Sequence, residues 1–192
     1  LDNLTRQDAM TGLTNRRAIE DALEAETNRA RRRRGSFALL ALDIDHFKRI
    51  NDAHGHPVGD AVLMALAQTL RDFARTGDIV ARVGGEEFWI LAPNTNIDGA
   101  MALAERVRVG VRRHKIHVGA LELHITTSIG VAVFDNAKET PDELFKRADQ
   151  ALYAAKTAGR NRVQLAGPLL QSTPGDKIPV KPGTRSTEAK AA

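Results

Sequence analysis

The chain has 192 residues, 42% hydrophobic and 27% charged, ordinary values for a globular domain long enough to bury a core. It has no cysteine, which excludes a disulfide framework and a thiolate metal site. No apolar run approaches the ~20 residues of a membrane helix and no signal-peptide pattern opens the chain, so a cytoplasmic protein without membrane contact is expected. The formal net charge of +4 owes part of its excess to the last segment, where Lys177, Lys181, Arg185 and Lys190 outnumber Asp176 and Glu188. The remainder is close to neutral, so nothing points to a nucleic-acid partner.

In chain order, residues 1–7 carry Leu1 and Leu4 at helical spacing without a cap, as at the end of a helix that began upstream. Residues 15–34 read as a helix with Ala18, Ile19, Ala22 and Leu23 on one face. The apolar run 37–44 reads as a buried strand and 47–53 as a short helix ending near Gly55. Asp60 is placed to cap a helix that carries Val62, Leu63, Leu66, Leu70 and Phe73. Residues 79–83 and 88–92 form two strands joined by Gly84-Gly85-Glu86-Glu87, a length and composition that suit a hairpin. A helix is expected over 97–114, strands over 121–126 and 128–134, a helix over 141–158 ended by Gly159, and a strand over 162–165. Residues 168–192 hold four of the seven prolines among Gly, Ser, Thr and Lys, a composition that reads as a disordered tail. Mixed helices and strands with a central hairpin indicate an α/β or α+β sandwich around one sheet.

Chemistry concentrates at a few places. Asp43 and Asp45 bracket Ile44 at the end of the first apolar strand. Carboxylate oxygens on a rigid strand end suit a hard cation such as Mg²⁺, which takes one or two carboxylates plus substrate phosphates; Asp45 reads equally well as the cap of the following helix. Adjacent glutamates at a two-glycine turn, running straight into Phe88-Trp89-Ile90-Leu91, exceed what a turn requires, and glycines let a phosphate approach the backbone; taken alone, the hairpin reads equally well as an exposed charged turn. Between Asn51 and Asp60, amide and carboxylate groups suit the edge of a guanine, and a capped turn between two helices explains the same residues. Lys156 and Arg160 at the end of the last long helix either complement its dipole or clamp phosphate.

Taken together, the segments resemble the GGDEF family of diguanylate cyclases. The resemblance rests on Asp8-Ala9-Met10-Thr11-Gly12-Leu13-Thr14-Asn15-Arg16-Arg17, on Asp43-Ile44-Asp45-His46-Phe47-Lys48-Arg49-Ile50-Asn51-Asp52 with Gly55-His56 and Gly59-Asp60, on Gly84 to Phe88 as the GGEEF form, and on Ala151-Leu152-Tyr153-Ala154-Ala155-Lys156 with Gly159-Arg160-Asn161. Met10 stands where Leu is usual, a volume-conserving change. The resemblance implies a catalytic domain over 8–167 and an α+β sandwich, its central sheet mostly antiparallel and flanked by helices, like nucleotide-cyclase and polymerase-palm cores. It implies condensation of two GTP molecules into cyclic di-GMP with release of two pyrophosphates, one GTP held by each subunit of a homodimer. By the same resemblance Asp43, the Ile44 carbonyl and Glu86 ligate Mg²⁺ (Mn²⁺ as an alternative), and Asn51 and Asp60 read guanine. Lys48, Lys156 and Arg160 contact the β- and γ-phosphates beside the backbone at Phe47, and Gly84 and Gly85 make room for the α-phosphate. Glu87 takes part in catalysis, through metal ligation or deprotonation of the 3′-hydroxyl. Arg75 and Asp78, an RxxD pair upstream of the hairpin, match the family's inhibitory site for cyclic di-GMP, with Arg106 or Arg108 as a secondary contact.

Three features are set aside. The arginines between Arg29 and Arg34 lie at a helix C-terminus without aromatic neighbours, so they read as a solvated face. His46, His54 and His56 fit no common metal spacing. Trp89 in a strand reads as core. The alternative function is an inactive domain that senses GTP or cyclic di-GMP; retention of Asp43, Glu86 and Glu87 argues for the enzyme.

Overall fold

The computed structural model describes residues 6–134 and 138–168. Most of the expected upstream helix end and all of the expected tail beyond Pro168 lie outside the described residues; Gln7 forms a bridge with Thr14.

Strand β1 (Thr14–Asn15) leads into helix α1 (Arg16–Arg33), with Asn15 capping the helix by accepting from the Ala18 N–H at 3.0 Å. Strand β2 (Phe37–Ile44) is followed by α2 (Phe47–His54) and α3 (His56–Phe73). The hairpin strands β3 (Ile79–Arg82) and β4 (Glu87–Ala92) precede α4 (Ile97–Arg113). A small hairpin, β5 (Ile116–Val118) and β6 (Leu121–Leu123), leads to β7 (Thr127–Phe134), α5 (Pro141–Thr157) and β8 (Val163–Leu165).

Six strands form one sheet in the order β1-β3-β4-β2-β7-β8. The β2–β4, β2–β7 and β3–β4 pairs are antiparallel, whereas β1–β3 and β7–β8 are parallel. The expected α+β sandwich with a mostly antiparallel sheet is therefore observed. Because β2 is central, both of its faces are buried, and its side chains divide by parity. Ala38, Leu40, Leu42 and Ile44 pack into a core that includes Leu63, Leu66 and Leu70 of α3 and Val107 of α4. Phe37, Leu39 and Ala41 join Ile19 and Leu23 of α1 and Leu144, Ala148 and Leu152 of α5. Each such Leu or Phe, fully buried, contributes about 1.5–3 kcal/mol. Trp89 belongs to this second core, as expected.

Several expectations change. Asp60 does not cap α3: the helix starts at His56, after Gly55 breaks α2 at φ 83° and with Pro57 at its first turn. Proline's fixed φ suits that turn, and Asp60 falls inside the helix. Asp45 does not cap α2 either; His46 holds that position in a left-handed conformation without a side-chain bond. The Asp45 carboxylate turns inward and accepts from Thr126 Oγ1 and Ser128 Oγ, both at 2.6 Å. The strand expected over 121–126 ends at Leu123, and Thr127, expected as a break, opens β7. Strands β1 and β5 were not expected.

Candidate active site

Antiparallel register brings distant carboxylates together. Asp43 lies opposite Glu87 of β4 on one side and Ser128 of β7 on the other. Its odd position turns its side chain toward the α1–α5 face, where Lys156 Nζ forms an ion pair with Asp43 Oδ2. Gly130 explains the reach of Lys156. A Cβ there would run into the Ala148 carbonyl and the Leu152 backbone, so glycine lets α5 lie directly against β7, and the side chain one turn beyond Leu152 arrives at the strand end.

Asp43 is only 4% exposed, and its Oδ1 finds no hydrogen-bond partner among the described residues. Burial, together with the adjacent Asp43 charge, pushes the Glu86 carboxyl up to about 7, against an opposing pull from Lys156. Two carboxylates facing one ammonium leave an excess of negative charge. Hard oxygen donors, an unpartnered buried Oδ1 and a lysine already drawn in as counter-charge fit a hard divalent cation. Among the described residues no group of three or more His, Asp or Glu side chains could hold a metal, so a cation here would rely on few protein ligands, as Mg²⁺ does when phosphates complete its shell.

The glycine turn is gripped from both sides. Arg82 donates from Nη2 to the Gly85 carbonyl at 2.8 Å and from Nη1 to Asp8 Oδ1 at 3.2 Å. Asp8 also accepts from the Thr11 hydroxyl at 2.7 Å and the Thr11 N–H at 2.8 Å. Burial works against the Asp8 charge, but the Thr11 bonds and Arg82 outweigh it and hold the carboxyl below its ordinary value. On the other side, Arg16 Nε donates to the Val83 carbonyl at 2.8 Å, Arg16 Nη2 lies 3.8 Å from Glu87 Oε2, and the guanidinium sits 5.5 Å from the Trp89 ring centre. The Glu87 carboxylate folds over Gly84 so closely that a Cβ there would strike it, whereas Gly85 faces open space. Asp8 and Arg16 were legible only as parts of a signature, and Arg82 only as part of an expected strand; their work on the turn depends on long-range contacts.

At the α2–α3 corner, the Asn51 side chain lies against Gly59 so closely that a Cβ at Gly59 would collide with Asn51 Oδ1. That oxygen is buried and finds no partner among the described residues, so an amide acceptor is held ready. Asp60 follows Gly59 and is exposed, as is Lys48, while Phe47 is buried beneath the corner. Arg160 is exposed just past α5, at φ 61°.

Arg75 and Asp78 stand apart, at the opposite end of β3 from the turn, about 13 Å of strand away. Asp78 accepts from Arg75 Nε at 3.1 Å and from the Arg75 N–H at 3.0 Å. Arg75 also donates to the Pro93 carbonyl at 2.9 Å and to the Thr95 hydroxyl. Arg106 is exposed on α4, and none of the described hydrogen bonds joins it to this pair. Arg108 is engaged elsewhere, with Glu105 and Asn161.

A mostly antiparallel α+β core that brings an acidic pair and a lysine together beside a glycine hairpin has the parts of a nucleotide-cyclase type of domain. Residues 5–162 match the family described as "Diguanylate cyclase, GGDEF domain", and the chain belongs to that family. It is 48% identical over 166 residues to the diguanylate cyclase DgcM of Escherichia coli, covering 86% of this chain and 40% of DgcM. It is 46% identical over 159 residues to the diguanylate cyclase DgcP of Pseudomonas aeruginosa, covering 83% of this chain and 24% of DgcP. The chain thus spans well under half the length of these relatives. The crystal structure of the GGDEF domain of DgcB from Caulobacter crescentus in complex with c-di-GMP superposes with a TM-score of 0.81 at 34% identity, covering 86% of this chain and 95% of that one. No helix among the described residues is long and apolar enough to cross a membrane.

Proposed function

We propose that this chain is a diguanylate cyclase that condenses two GTP molecules into cyclic di-GMP and two pyrophosphates in the cytoplasm, each subunit of a homodimer presenting one GTP. The observation that carries this reading is the meeting of Asp43, Glu86 and Lys156 beside the open glycine turn. The family relationship supports the same reaction.

Asp43, the Ile44 carbonyl and Glu86 would hold Mg²⁺ (or Mn²⁺), which when bound neutralises the triphosphate and polarises the α-phosphorus. Lys48, Lys156 and Arg160 bind the β- and γ-phosphates, with the α2 backbone at Phe47 alongside. Gly84 and Gly85 admit the α-phosphate, Gly85 having the open approach. Asn51 and Asp60 hold the guanine, the Asp60 carboxylate accepting from its ring N–H and amino group. The 3′-oxygen of one nucleotide attacks the α-phosphorus of the other in line with the departing pyrophosphate, so that a P–O bond forms as another breaks. Glu87, folded over Gly84 at that end of the hairpin, is the candidate to take the 3′-hydroxyl proton. No side-chain nucleophile is required; positioning and charge neutralisation carry the step. Arg75 and Asp78, with Arg106 as a second contact, form a separate site where the product binds back and slows the enzyme.

Incubation with GTP and Mg²⁺ followed by chromatography tests the reading. Wild type forms cyclic di-GMP, and Glu86→Gln reduces the rate by about a hundredfold or more. Nucleotide binding without any product, even at high protein concentration, would establish the inactive sensor instead.

A further inference from the structure

The two aspartates of Asp43-Ile44-Asp45 face different partners. Asp43 meets Lys156 and Glu86. Asp45, 6% exposed, accepts from Thr126 Oγ1 and Ser128 Oγ at 2.6 Å and from the Asn161 N–H at 2.9 Å. A buried carboxylate persists only where donors satisfy it, and here all three are neutral groups. The bond to Asn161 spans 116 positions of sequence and ties the loop after α5 to the strand end that carries Asp43.

That loop has unusual need of an anchor. Gly159, Arg160 and Asn161 have φ values of 115°, 61° and 44° in succession. Non-glycine residues rarely adopt left-handed backbone, and they persist there when their surroundings over-determine it. The constraints are visible on each side. The Arg160 N–H donates to the Ala155 carbonyl at 3.0 Å, and Arg162 Nε donates to the Arg160 carbonyl at 3.2 Å. From α4, Arg108 Nη1 donates to Asn161 Oδ1 at 2.8 Å, while Glu105 holds the same guanidinium through a bond from Nε at 2.8 Å. Asp45 and Arg108 thus grip Asn161 by its backbone and its side chain, and Arg160 is held between that grip and the end of α5.

We infer that Asp45 is a positioning residue for substrate phosphate: it fixes the 159–161 loop so that Arg160 projects from a set place beside Lys156. The inference rests on the cyclase reading, in which Arg160 contacts the β- and γ-phosphates. In this role Asp45 acts through Arg160, not on the reacting atoms or a metal.

Steady-state kinetics with GTP on full-length Asp45→Asn, Arg160→Ala and the double variant test it. Asp45→Asn raises KM about tenfold, the scale of one lost bond to a charged group, and changes kcat little. Arg160→Ala does the same, and the double variant is no worse than Arg160→Ala alone, because both act on one contact. Hydrogen exchange at the Asn161 amide accelerates in Asp45→Asn. Should that variant fold poorly, Arg108→Gln releases the same loop from α4 and raises KM about threefold. A collapse of kcat with KM unchanged, or KM effects that multiply in the double variant, would overturn the inference. Wild type that makes no product would defeat the cyclase reading alone. The affinity of inorganic pyrophosphate, measured by calorimetry, then decides the positioning role: weaker binding to Asp45→Asn supports it and equal binding overturns it.

Discussion

At Asp43 and Glu86 two carboxylates meet one lysine, and burial first, then the neighbouring Asp43 charge, pushes Glu86 up to about 7. A strand-end Asp and glutamates at a glycine turn were each legible in the sequence, and the family resemblance joined Asp43 to Glu86. The inward turn of Asp45 was not legible. Local reasoning makes an Asp just before a helix a cap, and its actual partners, Thr126 and Ser128, lie more than 80 residues further on. The same holds for Asp8, whose carboxyl works on Arg82 across 74 positions. Because Asp8 titrates below the ordinary 3.8 when folded, its contribution to stability is complete above that value and is lost as pH falls through the lower folded pKa. Asp8→Asn is therefore expected to cost about 1–2 kcal/mol at pH 7. The gap from wild type should narrow as pH falls below 3.8, which urea unfolding at a series of pH values measures.

Among the elements, the longer ones were readable: the continuous apolar run of β2, the apolar face of α1, the helices α4 and α5, and, from its glycine turn, the hairpin between β3 and β4. Errors fell where a short-range signal competed with another. Pro57 outweighed Asp60 in starting α3, and two- or three-residue strands such as β1 and β5 have no periodicity to detect. The approach of α5 to β7 is likewise a property of packing. Gly130 gave no warning in the sequence, yet it sets the position of Lys156. Gly130→Ala is expected to destabilise by about 1–3 kcal/mol through overpacking, read as a lower midpoint in thermal or urea unfolding. It should also depress turnover, because Lys156 moves with the helix.

For the whole molecule, the fold holds two polar clusters at opposite ends of β3. Near the turn, Glu86 gathers with Asp43 of β2 and Lys156 of α5; the other end of β3 carries Asp78 and Arg75, and Arg75 is also held by Thr95 and Pro93. If the second is a product site, Arg75→Ala keeps its initial rate but no longer slows when cyclic di-GMP is added, whereas wild type does; a progress curve with added product distinguishes them. If each subunit presents one GTP, as proposed, turnover depends on two chains meeting. The most direct measurement is a chromatographic time course of purified protein with GTP and Mg²⁺ at several protein concentrations. Conversion of two GTP into one cyclic di-GMP and two pyrophosphates, with specific activity rising with protein concentration, is the expected result. GTP recovered intact at every concentration, or hydrolysed to GDP and phosphate, would contradict it.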